Sequence, residues 1–156
     1  MTFAAPHTFT VGEVATAANL NLLTNDITAM LASSATVATS ETTGSATFTD
    51  LTTSGPAVTM NTGDRTAVTV TIIAKMSNNT VDKVSLMAFA ISGATTVIAA
   101  DAQSIAAQSS TANAVYTVSG VYRVTGLTAG SNTFTAKYRA TGNTSTFANR
   151  NLMVEL

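Results

Sequence analysis

From Val68 to Met76 the chain keeps a period of two: Val68, Val70, Ile72, Ala74 and Met76 alternate with Thr69, Thr71, Ile73 and Lys75. Side chains of a β-strand point alternately to opposite faces, whereas one face of a helix returns every 3.6 residues. The alternation therefore predicts a strand with one apolar face. The same rhythm recurs downstream. Phe134, Ala136, Tyr138 and Ala140 alternate with Thr133, Thr135, Lys137 and Arg139. Tyr116, Val118, Tyr122 and Val124 share a face opposite Thr117, Ser119 and Arg123. Residues 84–91 set bulky Met87, Phe89 and Ile91 against smaller Ala88 and Ala90, and Leu152, Val154 and Leu156 close the chain on one face.

Turn formers punctuate these runs: Ser54-Gly55-Pro56, Asn61-Thr62-Gly63-Asp64, Ser77-Asn78-Asn79, Ser92-Gly93, Thr128-Ala129-Gly130-Ser131-Asn132 and Thr141-Gly142-Asn143. Gly, Pro and Asn supply the backbone angles that turns require. Short patterned runs at such spacing predict an all-β, antiparallel β-sandwich of the jelly-roll type, with roughly eight strands. Strands do not alternate with helical segments, so a parallel α/β sheet is not expected.

The beginning of the chain follows another rule. Residues 1–15, with Pro6, His7 and Gly12, carry no usable period and read as an extended N-terminal arm. Thr16 stands where a helix N-cap belongs. Leu20, Leu23, Ile27 and Met30 then fall at 3-4-3 spacing, the seam of a heptad pattern, which predicts an α-helix over 16–33. A helix this short is marginal alone in water. The seam must pack on its own sandwich, on copies of itself about a symmetry axis, or on a partner protein. Leu20, Leu23, Ile27 and Met30 are therefore the candidate oligomerisation and anchoring residues. Residues 34–45 read as a polar linker or a poorly patterned first strand, leaving 46–156 for the sandwich.

Composition narrows the function. Charged residues make up 10% of the chain, against about a quarter in an ordinary globular protein. Hydrophobic residues reach 46% and Thr and Ala are the commonest types. A surface of Thr, Ser and Ala loses little hydration when covered, so it suits packing into an assembly. The net charge is −1 and the seven basic residues stand singly; no nucleic-acid footprint results. The longest apolar run, Leu86–Ile91, is too short to cross a membrane, and the N-terminus has no basic-then-apolar leader pattern.

The residues that carry chemistry are sparse. With no cysteine there is no disulfide and no thiolate metal site. His7 is the only histidine, so a Ser/His/Asp triad would depend on a residue of the arm. The acids Glu13, Asp26, Glu41, Asp50, Asp64, Asp82, Asp101 and Glu155 are widely spaced, so a glycosidase pair would have to converge from distant segments. Asp64 and Asp82 read as turn formers. Neither a metal-ligand spacing nor a glycine-rich phosphate loop is present, and no cofactor is expected. Tyr116, Tyr122, Tyr138, Phe134 and Phe147 alternate with polar residues, which favours core burial over a sugar-stacking platform. The chain is expected not to be an enzyme.

Two segments resemble a known group. Phe9-Thr10-Val11-Gly12-Glu13-Val14-Ala15-Thr16-Ala17-Ala18-Asn19-Leu20-Asn21 resembles the F-x-x-G-E-V-L-T-A-x-x-L-N opening of many tailed-bacteriophage virion proteins, with Ala15 in place of the usual Leu. Gly126–Thr135, continued by Asn149–Leu156, is similar to the last two strands of trimeric β-sandwich domains on phage surface proteins. The resemblance implies a homotrimer on the particle surface, its N-terminal part anchored to the major capsid protein or a tail protein and its sandwich facing outward. The expectation is a capsid decoration (cement) or head-fibre protein. The alternative is a minor tail or tail-tip protein that binds a host-surface glycan.

Overall fold

The computed structural model describes residues 12, 14, 16–18 and 33–156. Strand β4 (Ala67–Asn78), which carries the longest alternation, lies inside a sheet ordered β1-β9-β4-β7, where β1 is Ser33–Val37, β7 is Tyr116–Thr125 and β9 is Ser145–Glu155. A short β2 (Glu41–Thr43) also pairs with β9. The second sheet is ordered β3-β8-β5-β6, from β3 (Ala57–Asn61), β8 (Ser131–Ala140), β5 (Val84–Gly93) and β6 (Ser104–Gln108). Every pairing is antiparallel. A single 3₁₀ turn, Asp101–Gln103, precedes β6.

The two inner faces meet as their alternation requires. Val68, Val70, Ile72, Ala74 and Met76 of β4 are buried and face Phe134, Ala136 and Tyr138 of β8 with Met87, Phe89 and Ile91 of β5. Phe89 holds the centre, edge-on to Tyr122 at 5.8 Å and tilted against Phe134 at 6.4 Å. Tyr138 packs on Phe147 at 4.9 Å, and its hydroxyl donates to the Gly55 carbonyl at 2.7 Å. That hydrogen bond satisfies the polar end of a fully buried ring.

Both ends of the core are closed by neutral polar groups. At one end Asn78 Nδ2 donates to Ser145 Oγ and the Gly142 carbonyl, while Ser85 Oγ lies 2.8 Å from Ser145 Oγ. At the other, Asn132 Nδ2 donates to the Thr128 carbonyl and its Oδ1 accepts from the Thr95 amide.

Strand β9 departs from a simple period. Ile73 pairs with Asn151 and Lys75 with Ala148, so Ala74 faces two residues, Asn149 and Arg150. Asn149 takes up the extra length with φ 47°, as a β-bulge requires. The bulge shifts the inward set from odd to even positions: Ser145 and Phe147 point inward before it, Arg150, Leu152 and Val154 after it.

Residues 34–45 contribute β1 and β2 to the sandwich, so the second of the two readings for this segment is the observed one, and the sandwich begins at Ser33 instead of 46. Ser33, expected to end the N-terminal helix, opens β1. Apart from residues 12, 14 and 16–18, the arm and the rest of the expected helix lie outside the described residues.

Adjacent isoleucines test the alternation. Ile72→Ala empties a fully buried position and should lower stability by about 2–5 kcal/mol; Ile73→Ala, on the outer face, should cost less than about 1 kcal/mol. Urea unfolding of both variants reads the contrast directly.

Candidate functional site

The two outer faces of the sandwich differ in how they are finished. On the β3-β8-β5-β6 sheet, charged side chains are already paired. Lys137 Nζ meets both oxygens of Asp50 at 2.8 and 2.7 Å. Arg139 grips Asp101 through Nε and Nη2 and lies over the Phe48 ring at 5.3 Å. Leu86 and Ala88, the residues opposite Arg139 and Lys137 in register, are buried although they point outward. Long side chains laid along the sheet shield apolar surface in this way while their charged ends stay wet.

Among the described residues, the outer face of the other sheet carries no covering element and is nearly neutral. Register places Ser34, Met153, Thr71 and Val121 in one row across β1, β9, β4 and β7. The next row is Thr36, Asn151, Ile73 and Ser119, with Asn151 Nδ2 donating to Thr36 Oγ1 at 2.7 Å. Charge appears only in the flanking rows: Glu155 and Arg123 beyond one side, Lys75 beyond the other. Val121 is 68% exposed, an aliphatic side chain set in a field of Thr and Ser. Such a face has little hydration to lose and can be covered cheaply.

The edges differ as sharply. β3 and β6 are five residues each. The β1–β2 side is broken at residues 38–40 into pieces of five and three. β7 is ten residues long, pairs only with β4 among the described residues, and contains no Pro, no Lys and no bulge. Its curvature tolerates one glycine: a Cβ at Gly120 would meet Ile105 Cγ2 at 2.6 Å and the Tyr122 hydroxyl at 2.9 Å. Tyr122 and Ile105 thus occupy the space above Gly120.

Several of the described groups that could carry chemistry make structural contacts. Glu41 accepts from the Thr53 amide at 3.0 and 3.2 Å and lies 3.7 Å from Arg150. Arg150 is fully buried. Its Nη2 donates to Thr39 Oγ1 at 3.2 Å, its guanidinium sits over the Tyr138 ring at 5.3 Å, and its Nε makes no hydrogen bond. Hydrogen bonds from Thr53, side chain first and then backbone, hold the Glu41 carboxyl below its ordinary range; Arg150 adds a smaller pull in the same direction. Burial pushes the Tyr138 hydroxyl well above the usual tyrosine range. The buried serines Ser85, Ser109 and Ser145 bond to Asn78, to one another and to main-chain atoms, none of which is a base. Among the described residues no three of His, Cys, Asp and Glu come together as metal ligands, and no helix is long and apolar enough to cross a membrane.

The sequence-predicted anchoring residues Leu20, Leu23, Ile27 and Met30 lie outside the described residues. Of the aromatics read as core, Tyr138, Phe134 and Phe147 are fully buried, and Tyr116 and Tyr122 are half-buried on the inner side of β7. None forms an exposed platform for a sugar. Reading the sequence missed Val121 and Met153 as parts of an outer surface. The available signal was a lone aliphatic residue between Ser119 and Arg123. No protein-family model matches the chain, and no curated protein sequence matches it.

The Glu41 carboxyl, held mainly by Thr53 and to a smaller extent by Arg150, gives a testable acid dependence. Because the folded carboxyl titrates below its ordinary value of 4.5, the stability it contributes is present above that value and lost as pH falls through the lowered one. Glu41→Gln should lower the thermal midpoint at neutral pH, and the gap to wild type should close on acidification. A gap that stays constant down to about pH 3 would contradict the coupling.

Proposed function

We propose that the chain is a non-enzymatic structural subunit of a virion surface, a capsid decoration or head-fibre protein. In this reading it assembles as a homotrimer and is held to the major capsid protein by its N-terminal arm and the Leu20, Leu23, Ile27, Met30 seam. The observation that carries it is the strand order. With β2 set aside as a short addition, the main strands number one to eight, and the sheets run 1-8-3-6 and 2-7-4-5. That wrapping is the jelly roll, two Greek keys folded over each other, an architecture recurrent among viral capsid and lectin domains.

Three further features favour a subunit over a free-standing binder or enzyme. The outer face of the β1-β9-β4-β7 sheet is neutral across its two central rows. The ionisable side chains Glu41, Arg150, Asp50, Lys137, Asp101 and Arg139 are spent on structural pairs. The Phe9–Asn21 segment resembles the openings of phage virion proteins. A glycan-binding tail protein gains no comparable support, since its stacking aromatics are turned inward.

Fold gives no more than a prior on function, because one architecture serves many roles. The seam is therefore the part to test. Changing Leu23 and Ile27 together to Asp should leave the far-UV spectrum and unfolding midpoint of the sandwich unchanged while abolishing the trimer in light scattering. Immunogold labelling of particles should then find wild type on heads and the double variant absent. A double variant that still assembles and still decorates particles refutes the tether.

A further inference from the structure

We propose that β7 is a self-pairing edge: two copies of the chain join antiparallel through β7, about a two-fold axis at Val121, to make one continuous sheet. The inference does not rest on the virion reading or on the trimer; it concerns a different surface from the N-terminal seam.

Among the described residues no strand pairs with the free side of β7. A strand at the rim of a sheet presents a row of free amide and carbonyl groups, a template for another strand. Folded proteins defend such rims with short strands, Lys or Pro, bulges or covering loops. Here the defences are distributed unevenly. β3 and β6 are five residues long, the β1–β2 rim is interrupted at 38–40, and β3 follows directly on Pro56. β7 alone offers ten regular residues, Tyr116 to Thr125, bounded by left-handed Asn113 before it and Gly126 after it. Its outward side chains are Thr117, Ser119, Val121, Arg123 and Thr125. A single charge on the strand does not discourage a neighbour.

The side-chain pattern argues for a second copy as that neighbour and selects the register. In an antiparallel pair that keeps both outer faces on one side, odd residues oppose odd residues, since opposed side chains share a face. Centring the two-fold on Val121 places Val121 against Val121 of the other copy, Ser119 against Arg123 and Thr117 against Thr125. The most exposed aliphatic residue of the strand is buried against itself, and Arg123 meets a serine and never its own mate. On the inner side Gly120 opposes Tyr122 of the other copy. Moving the axis to Arg123 would set two guanidinium groups face to face and shorten the overlap. The pattern is self-complementary about Val121, as a two-fold contact must be.

A joint of one strand pair is small, so its strength comes from repetition. Copies already gathered by another contact would meet at high effective concentration, which turns a weak edge into a stable seam. A three-fold tether and a two-fold edge are different symmetry elements, and in combination they link trimers into a net.

The chain has no cysteine, which permits a register-specific test on the full-length protein. Directly opposed residues of an antiparallel pair have Cα atoms about 4.5–5.5 Å apart, within the span of a disulfide. Val121→Cys should therefore become a disulfide-linked dimer as its main product under mild oxidation. Thr117→Cys alone should stay monomeric on a non-reducing gel, because its predicted neighbour is Thr125. Mixing Thr117→Cys with Thr125→Cys should yield the heterodimer. Failure of Val121→Cys to cross-link overturns the proposal, as does equal cross-linking of all three variants, which would report collision only. Hydrogen exchange on the unaltered chain checks it independently of any substitution: amides of β7 should gain protection as concentration rises while those of β3 do not. Concentration-independent exchange along β7 counts against the edge.

Discussion

The sandwich depends on a phase constraint. Each inner face accepts an apolar side chain at every second position, and a strand that slips by one residue exposes its whole buried set. β4 meets that condition over its full length, and its neighbours are registered on it. β9 cannot meet it, because Phe147 and Leu152 are separated by an odd number of steps and both belong inside. The bulge at Asn149 reconciles them. It does so by turning one residue inward that no core would otherwise take, and that residue is Arg150.

The rest of the chain near this strand is arranged around that guanidinium. Thr39 and Glu41 come from the segment between and within β1 and β2; Thr53 comes from the turn that leads to β3; Tyr138 comes from the opposite sheet. A buried charge left without partners costs several kcal/mol, whereas one with hydrogen bonds and an opposite charge is tolerated. The otherwise weakly patterned residues 38–56 are tied down by this polar contact together with the Thr49–Tyr138 bridge and buried Leu51. Their ordinary requirement for hydrophobic residues is relaxed, and Ser, Thr and Gly fill the segment.

These facts explain what could be read from the sequence. β4, β7 and β8 announce themselves because each holds one alternation from end to end. For β9 the rhythm is visible only from Leu152 onward, since the extra residue at Asn149 breaks the count before it. β3 and β6 carry too few apolar residues, Val58 and Met60 in one and Ile105 and Ala107 in the other, to stand out. β1 turns Ser33, Ala35 and Val37 inward but packs only Ala35 on the apolar cluster, so it passes for a linker. Leu86 and Ala88 look like the exposed side of an amphipathic strand, yet they are buried beside Arg139 and Lys137. As for the candidate surface, a neutral face of Thr, Ser and Ile carries no motif. It becomes visible only when four strands are laid side by side and their rows compared.

Because β9 is the neighbour of β1, β2 and β4 at once, the first strands of the sandwich wait for the last. Contacts between such distant segments form slowly, and during synthesis they cannot form until β9 has left the ribosome. A polypeptide truncated before β9 keeps the β3-β8-β5-β6 layer but has nothing to hold β1 and β2, and it cannot shield its apolar interior. The wiring of the fold thus makes β9 the strand whose loss unties the opening segment and uncovers the interior at once.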